Sequence, residues 1–114
     1  MDDSVPGFSG EGMLYKLCFY VPATHLDVVK EAVFAAGAGT IGNYDKCAWQ
    51  TKGVGQFRPL PGSHPFLGQA GEVETVEEYK VEMVCSGEYI REAVAALLCA
   101  HPYETPAYEY WEIN

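Results

Sequence analysis

The sequence predicts an α+β domain of βαββαβ order, an antiparallel sheet with two helices on one face and a long loop between its halves. Three observations carry that expectation. Two strand-helix-strand runs follow one another, over residues 15 to 51 and 72 to 113. The second run repeats the first at an offset of 64 positions. Between them, from Lys52 to Gly71, five glycines and three prolines erase every periodicity.

The elements follow in order. Tyr15 to Val21 is dense in aromatic and branched residues and reads as a strand, which Pro22 ends. Thr24 stands where an N-cap belongs, with Asp27 three residues on. Leu26, Val29, Val33 and Ala36 then recur at helical spacing, and Gly37 supplies the left-handed stop. Tyr44 to Thr51 reads as the second strand. After the Gly/Pro stretch, Glu72 to Cys85 reads as the third, firmest from Glu78. Ser86 is a candidate cap for a helix whose apolar stripe is Ile90, Val94, Leu97 and Leu98. Pro102 disfavours helical geometry at His101 and stops that helix. Ala107 to Ile113 makes the last strand.

The offset brings Tyr15 onto Tyr79, Lys16 onto Lys80, Leu26 onto Ile90, Val33 onto Leu97, Ala36 onto Ala100 and Tyr44 onto Tyr108. Element order and helix stripe are preserved together, so the halves read as one βαβ unit written twice. The simplest closed solution is the ferredoxin-like sandwich, with right-handed crossovers.

At 114 residues, with 48% apolar and 20% charged side chains, the chain has material for one core and no need of metals or disulfides to fold. Residues 1–12 show no periodicity and are expected to form a flexible tail, with the domain over 13–114. Sixteen acidic against seven basic residues give a formal charge of −9, which disfavours nucleic-acid binding and favours cations or basic partners. An acidic surface is also a common route to solubility. Cys18, Cys47, Cys85 and Cys99 form no C-x-x-C pair, no stretch reaches the roughly 20 apolar residues of a membrane span, and no signal-peptide pattern opens the chain. A cytoplasmic setting with reduced thiols is expected, away from membranes.

Four motifs remain. Gly37-Ala38-Gly39-Thr40-Ile41-Gly42 has dinucleotide-fingerprint spacing, but it follows a helix where the fingerprint must open one, so its glycines are read as a helix stop and a tight strand entry. The loop over 52–71 is long for a passive connection and is a candidate contact surface, the alternative being a hairpin packed by Phe57, Leu60, Phe66 and Leu67. Within it, Arg58 suits a carboxylate or phosphate, or a salt bridge inside an acidic protein. His101-Pro102-Tyr103-Glu104-Thr105-Pro106 gathers an imidazole, a phenol and a carboxylate on one turn. His101 and Glu104 could share a divalent metal ion with His64, or His101 could bond open carbonyls at the helix end. No serine sits in a nucleophile elbow and no cysteine has a histidine beside it, so nothing points to covalent catalysis.

Over residues 15 to 114 the chain resembles the insert domain of the Nif-three-like (YqfO) family, the GTP cyclohydrolase 1 type 2 homologues. The resemblance rests on Gly37-Ala38-Gly39 with Ile41-Gly42-Asn43-Tyr44, on Gly55 with Phe57-Arg58-Pro59-Leu60 and Gly62, on Pro65-Phe66 with Gly68, and on His101-Pro102-Tyr103-Glu104. That insert is similar to the PII and CutA proteins, which are ferredoxin-like trimers, and CutA proteins carry a similar His-x-Tyr-Glu-x-Pro turn. The resemblance implies a non-catalytic PII-like or CutA-like binding or regulatory module that forms a homo-oligomer, a trimer first. From the loop and the turn themselves, Arg58, His64 and Tyr103 are the expected ligand contacts and His101, Glu104 and His64 the expected metal contacts. The family's two-metal site lies in the flanking domain, whose ligands have no counterpart here. A metal-dependent hydrolase is therefore the second reading, and a purely structural domain that pairs with a separate protein the third.

Overall fold

The structure, a computed structural model, describes residues 12–114, so all but the last residue of the expected tail over 1–12 lies outside it. The elements are β1 (Leu14–Pro22), a 3-10 turn (Ala23–His25), α1 (Leu26–Ala35), β2 (Trp49–Phe57), β3 (Glu74–Ser86), α2 (Ile90–Ala100) and β4 (Tyr108–Ile113). They form one four-stranded sheet in the order β2-β3-β1-β4, with every neighbouring pair antiparallel, which is the ferredoxin-like α+β topology.

The core follows from strand alternation. Leu17, Phe19 and Val21 of β1 and Val81, Met83 and Cys85 of β3 are every second residue, and all are buried. They meet Val29 and Val33 of α1 and Ile90, Ala93 and Leu97 of α2 in one cluster. Leu98 was expected in that stripe but is exposed, because a residue eight positions after Ile90 has rotated about 80° off the face at 3.6 residues per turn.

The repeat is visible in the register. Cys18 pairs with Glu82, and Tyr15 with Cys85 as Val21 does with Tyr79, so the 64-residue offset maps the β1–β3 ladder onto itself. Leu26 and Ile90, related by the same offset, each open a helix. The symmetry breaks after α1. Cys18 pairs with Glu109, which the offset relates to Asp45, yet Trp49 stands opposite Glu82, four residues later.

That difference corrects two boundaries. Tyr44 does not begin β2; it closes a tight turn with Ile41, whose amide and carbonyl both bond to Tyr44 at 2.8 and 2.9 Å, with Gly42 and Lys46 at positive φ. Lys52 to Phe57, expected as loop, is strand, because Glu74 to Tyr79 offers each of these residues a ladder partner despite the two glycines. The connection without regular structure is 58–73. Neither helix carries the expected side-chain cap. Thr24 Oγ1 instead lies 2.8 Å from His25 Nδ1, the Leu26 amide bonds to the Ala23 carbonyl, and Ser86 supplies its carbonyl to Tyr89. Backbone turns do the work there.

Gly37 performs the expected stop. Its φ is +113°, and the Ala38 and Gly37 amides bond back to Val33 and Phe34 at 3.1 and 3.0 Å, the paired bonds of a Schellman ending.

Candidate functional site

The site grows from the corner after α2. His101 is extended and 6% exposed, and both ring nitrogens are engaged. Nδ1 accepts the Tyr103 amide at 3.1 Å, so the ring's proton sits on Nε2, which donates to the Tyr20 carbonyl of β1 at 2.7 Å. Burial lowers the His101 pKa below the usual imidazole value, against the opposing pull of the Tyr20 bond and the Glu78 charge. The imidazole is thus a neutral strut between the turn and the central strand. The carbonyl it bonds belongs to β1 and not, as expected, to the helix end.

Held this way, Tyr103 packs its ring on His101 at a centroid distance of 4.8 Å and donates its hydroxyl to Glu78 Oε2 at 2.7 Å. Burial and the neighbouring carboxylate push the Tyr103 phenol up, which keeps it a donor. Glu78 projects from β3 across Gly55 of β2. A Cβ at Gly55 would collide with the Glu78 carboxylate, so this glycine makes room for a side chain. Gly55→Ala is expected to fold with a stability change within about 1 kcal/mol, because the obstructing atoms are the far end of a flexible side chain. It should break the Tyr103–Glu78 bond, read as a shift of the Tyr103 ring resonances in NMR spectra.

The loop over 58–73 folds back onto the turn. The His64 amide donates to Glu104 Oε1 at 2.8 Å, and Phe66 sits edge-on to His25 at 5.2 Å and tilted to Tyr103 at 6.3 Å. The Gly71 amide bonds to the Pro59 carbonyl at 2.8 Å and closes the loop's base. Between the 58–73 loop, the strands β1, β2 and β3 and the turn after α2 lies a cavity of about 500 Å³. The residues lining it include the aromatic Tyr20, Phe57, Phe66 and Tyr103 and the acidic Glu78 and Glu104.

The residues expected to act as a site therefore gather in one neighbourhood, but in different roles. Tyr103 and Glu104 line the cavity. His64 contributes its amide, and its exposed ring lies 3.7 Å from Glu104 Oε2, a surface contact of small energetic weight. Arg58 is exposed beside the cavity wall and is not part of its lining. His101, Glu104 and His64 do not converge as metal ligands: the two nitrogens of His101 are already bonded, and among the described residues no three His, Cys, Asp or Glu side chains stand together to hold an ion. Glu78 and Tyr20 are site residues that the sequence does not mark: a glutamate among glutamates on a strand reads as solvated surface, and a tyrosine within an aromatic strand reads as sheet. Only the β2–β3 register, which sets Glu78 against the glycines of β2, would have exposed the glutamate.

No protein-family profile matches the chain. The GTP cyclohydrolase 1 type 2 homologue of Halalkalibacterium halodurans is 47% identical over 100 residues, covering 88% of this chain and 27% of that protein. The homologue of Mycobacterium tuberculosis is 42% identical over 111 residues, covering 97% and 28%. The chain spans about a quarter of the length of the curated relatives it matches. Among solved structures, a Bacillus cereus protein related to NIF3 superposes with a TM-score of 0.75 at 35% identity, over 90% of this chain and 26% of that one. The periplasmic divalent cation tolerance protein CutA of Archaeoglobus fulgidus gives 0.63 at 14% identity, over 90% and 85%. The ATP complex of Bacillus subtilis GlnK gives 0.57 at 13%, also over 90% and 85%. These last two share the fold.

Proposed function

The chain belongs, as one domain, to the NIF3-related family of GTP cyclohydrolase 1 type 2 homologues, and from that premise we propose that it is a ligand-binding, regulatory module whose site is the cavity under the 58–73 loop. A small binding or regulatory domain is what its CutA-like and PII-like architecture supports. The observation that carries the finer reading is the fold-back of the loop: a glycine- and proline-rich segment is tied to the His101 turn by Glu104 and Phe66, and leaves a half-open cleft of about 500 Å³ beside it. Because the chain spans about a quarter of those relatives, the proposal leaves the chemistry in their name to the remainder of those proteins. A metal ion, if one binds, would have to use Glu104 and His64 at the surface.

The edge strands β2 and β4 expose Trp49, Val54, Tyr110 and Trp111. Exposed edges with apolar residues favour association, so the reading includes a homo-oligomer, a trimer first, with a separate protein partner as the other occupant of those edges. No helix among the described residues is long and apolar enough to cross a membrane. All four cysteines are free thiols, in keeping with a reducing cytoplasm as the proposed setting. Sedimentation velocity reads the subunit number directly.

The binding claim is tested by a fragment screen of mixed charge on the isotopically labelled chain. Hits whose amide shifts cluster on Phe57, Phe66 and Tyr103 are the expected result. A screen whose hits scatter over the surface, or leave those amides unmoved, contradicts it.

A further inference from the structure

Resting on that reading of the cavity, we infer that its ligand is a guanidinium-type organic cation, either a free small molecule or the arginine side chain of an exposed protein segment. The charge on the walls points this way. Glu78 and Glu104 both line the cavity, whereas no lysine or arginine does among the described residues. Lys52 and Lys46 pair with Glu77 and Glu31, outside the lining, at 3.1 and 3.0 Å. Arg58, adjacent in sequence to the wall residues Phe57 and Pro59, is also outside. A phosphate or carboxylate ligand would therefore meet two anionic groups in a chain of formal charge −9.

The carboxylates have capacity to spare. Tyr103 gives Glu78 one hydrogen bond and the His64 amide gives Glu104 one, while an ionised carboxylate offers roughly four acceptor sites. A cation would supply the missing donors and the missing charge together. The rings select its shape. Phe57, Phe66 and Tyr103 stand ring beside ring in the lining, and a planar delocalised guanidinium stacks on aromatic faces while its N–H fork meets a carboxylate in two places. A compact, strongly hydrated ammonium does neither as well. Glu78, already oriented by Tyr103 and seated on Gly55, is the carboxylate placed to take that fork.

The test titrates four probes into the labelled full chain at low salt: agmatine, the peptide acetyl-Gly-Arg-Gly-amide, the neutral planar analogue butylurea, and ATP. Agmatine or the peptide should bind at least about tenfold more tightly than butylurea, a difference of about 1.4 kcal/mol, and shift the Phe57 and Tyr103 amides. Preference for agmatine over the peptide assigns a free ligand, and the reverse assigns a protein segment. Glu78→Gln keeps the acceptor for Tyr103 and should erase the preference; Glu104→Gln serves as a second variant should the first fold poorly. Butylurea or ATP binding in the cavity as well as agmatine overturns the cationic class and leaves the cavity reading intact, as does an unchanged preference in both variants. Probes that leave Phe57 and Tyr103 unmoved overturn the cationic class, while the cavity reading stands or falls on the fragment screen.

Discussion

Replacing His101 with alanine should destabilise the domain by about 2–4 kcal/mol, a large part of the roughly 5–15 kcal/mol that holds a domain of this kind together. Truncation strips partners from two groups at once, the Tyr20 carbonyl and the Tyr103 amide, and each buried group left unsatisfied costs about 1–3 kcal/mol. It also removes the ring on which Tyr103 packs. His101→Phe restores the ring without the hydrogen bonds and separates the two contributions. Urea unfolding supplies the numbers. A loss below about 0.5 kcal/mol in the alanine variant would mean that the imidazole is not the strut described.

The same residue gives the stability a pH dependence of defined sign. Burial holds its pKa below the ordinary 6.5, so as pH falls the unfolded chain takes up a proton that the native ring refuses. The contribution of His101 is fully present above about pH 6.5 and is lost as pH falls from there through the lowered native value. Because His25 and His64 remain in both proteins, the difference between wild type and His101→Phe isolates this effect. Unfolding midpoints that run parallel across that window would contradict it.

Gly37→Ala should cost about 2–4 kcal/mol by a different route. The φ of +113° is a conformation that side chains rarely adopt, with strain of roughly 1–3 kcal/mol. The added methyl would also lie 2.6 Å from the Tyr89 ring at the entry to α2. Gly42→Ala is the control. Its φ of +58° is in the left-handed region, but a Cβ there meets nothing within 4 Å, so the penalty should be about 1–2 kcal/mol from the backbone alone. Equal effects at the two positions would mean that Tyr89 yields freely.

Much of this architecture was legible in the residues. Period-two alternation in Leu17, Phe19 and Val21, helical stripes through Val33 and Leu97, and the 64-residue repeat together dictate two βαβ units, because each is a local pattern that one sheet can satisfy at once. The boundaries of β2 were not legible. Gly53 and Gly55 lower local strand propensity, and only pairing with β3, a contact between residues far apart in sequence, overrides it. The capping role expected of Thr24 failed for a related reason: a preceding 3-10 turn already fills the amide that the hydroxyl would have served.

The candidate site divides the same way. The turn from His101 to Glu104 stood out because it concentrates unusual side chains in four consecutive residues. What those side chains do depends on partners in β1, β3 and the loop, Tyr20, Glu78 and His64, and no spacing rule links them. His101 shows how far the difference reaches. An imidazole beside a carboxylate reads as a metal ligand, and three-dimensional contacts make it a neutral, doubly bonded support.

Amide hydrogen exchange at His64 tests the closure of the loop over the turn most directly, since that N–H is bonded to Glu104 although the side chain is exposed. The bond predicts a protected His64 amide in the wild type, with protection lost in Glu104→Ala while the amides of β1 stay protected. Exchange at the rate of an unstructured peptide in the wild type would mean that the loop stands open, and the cavity would go with it.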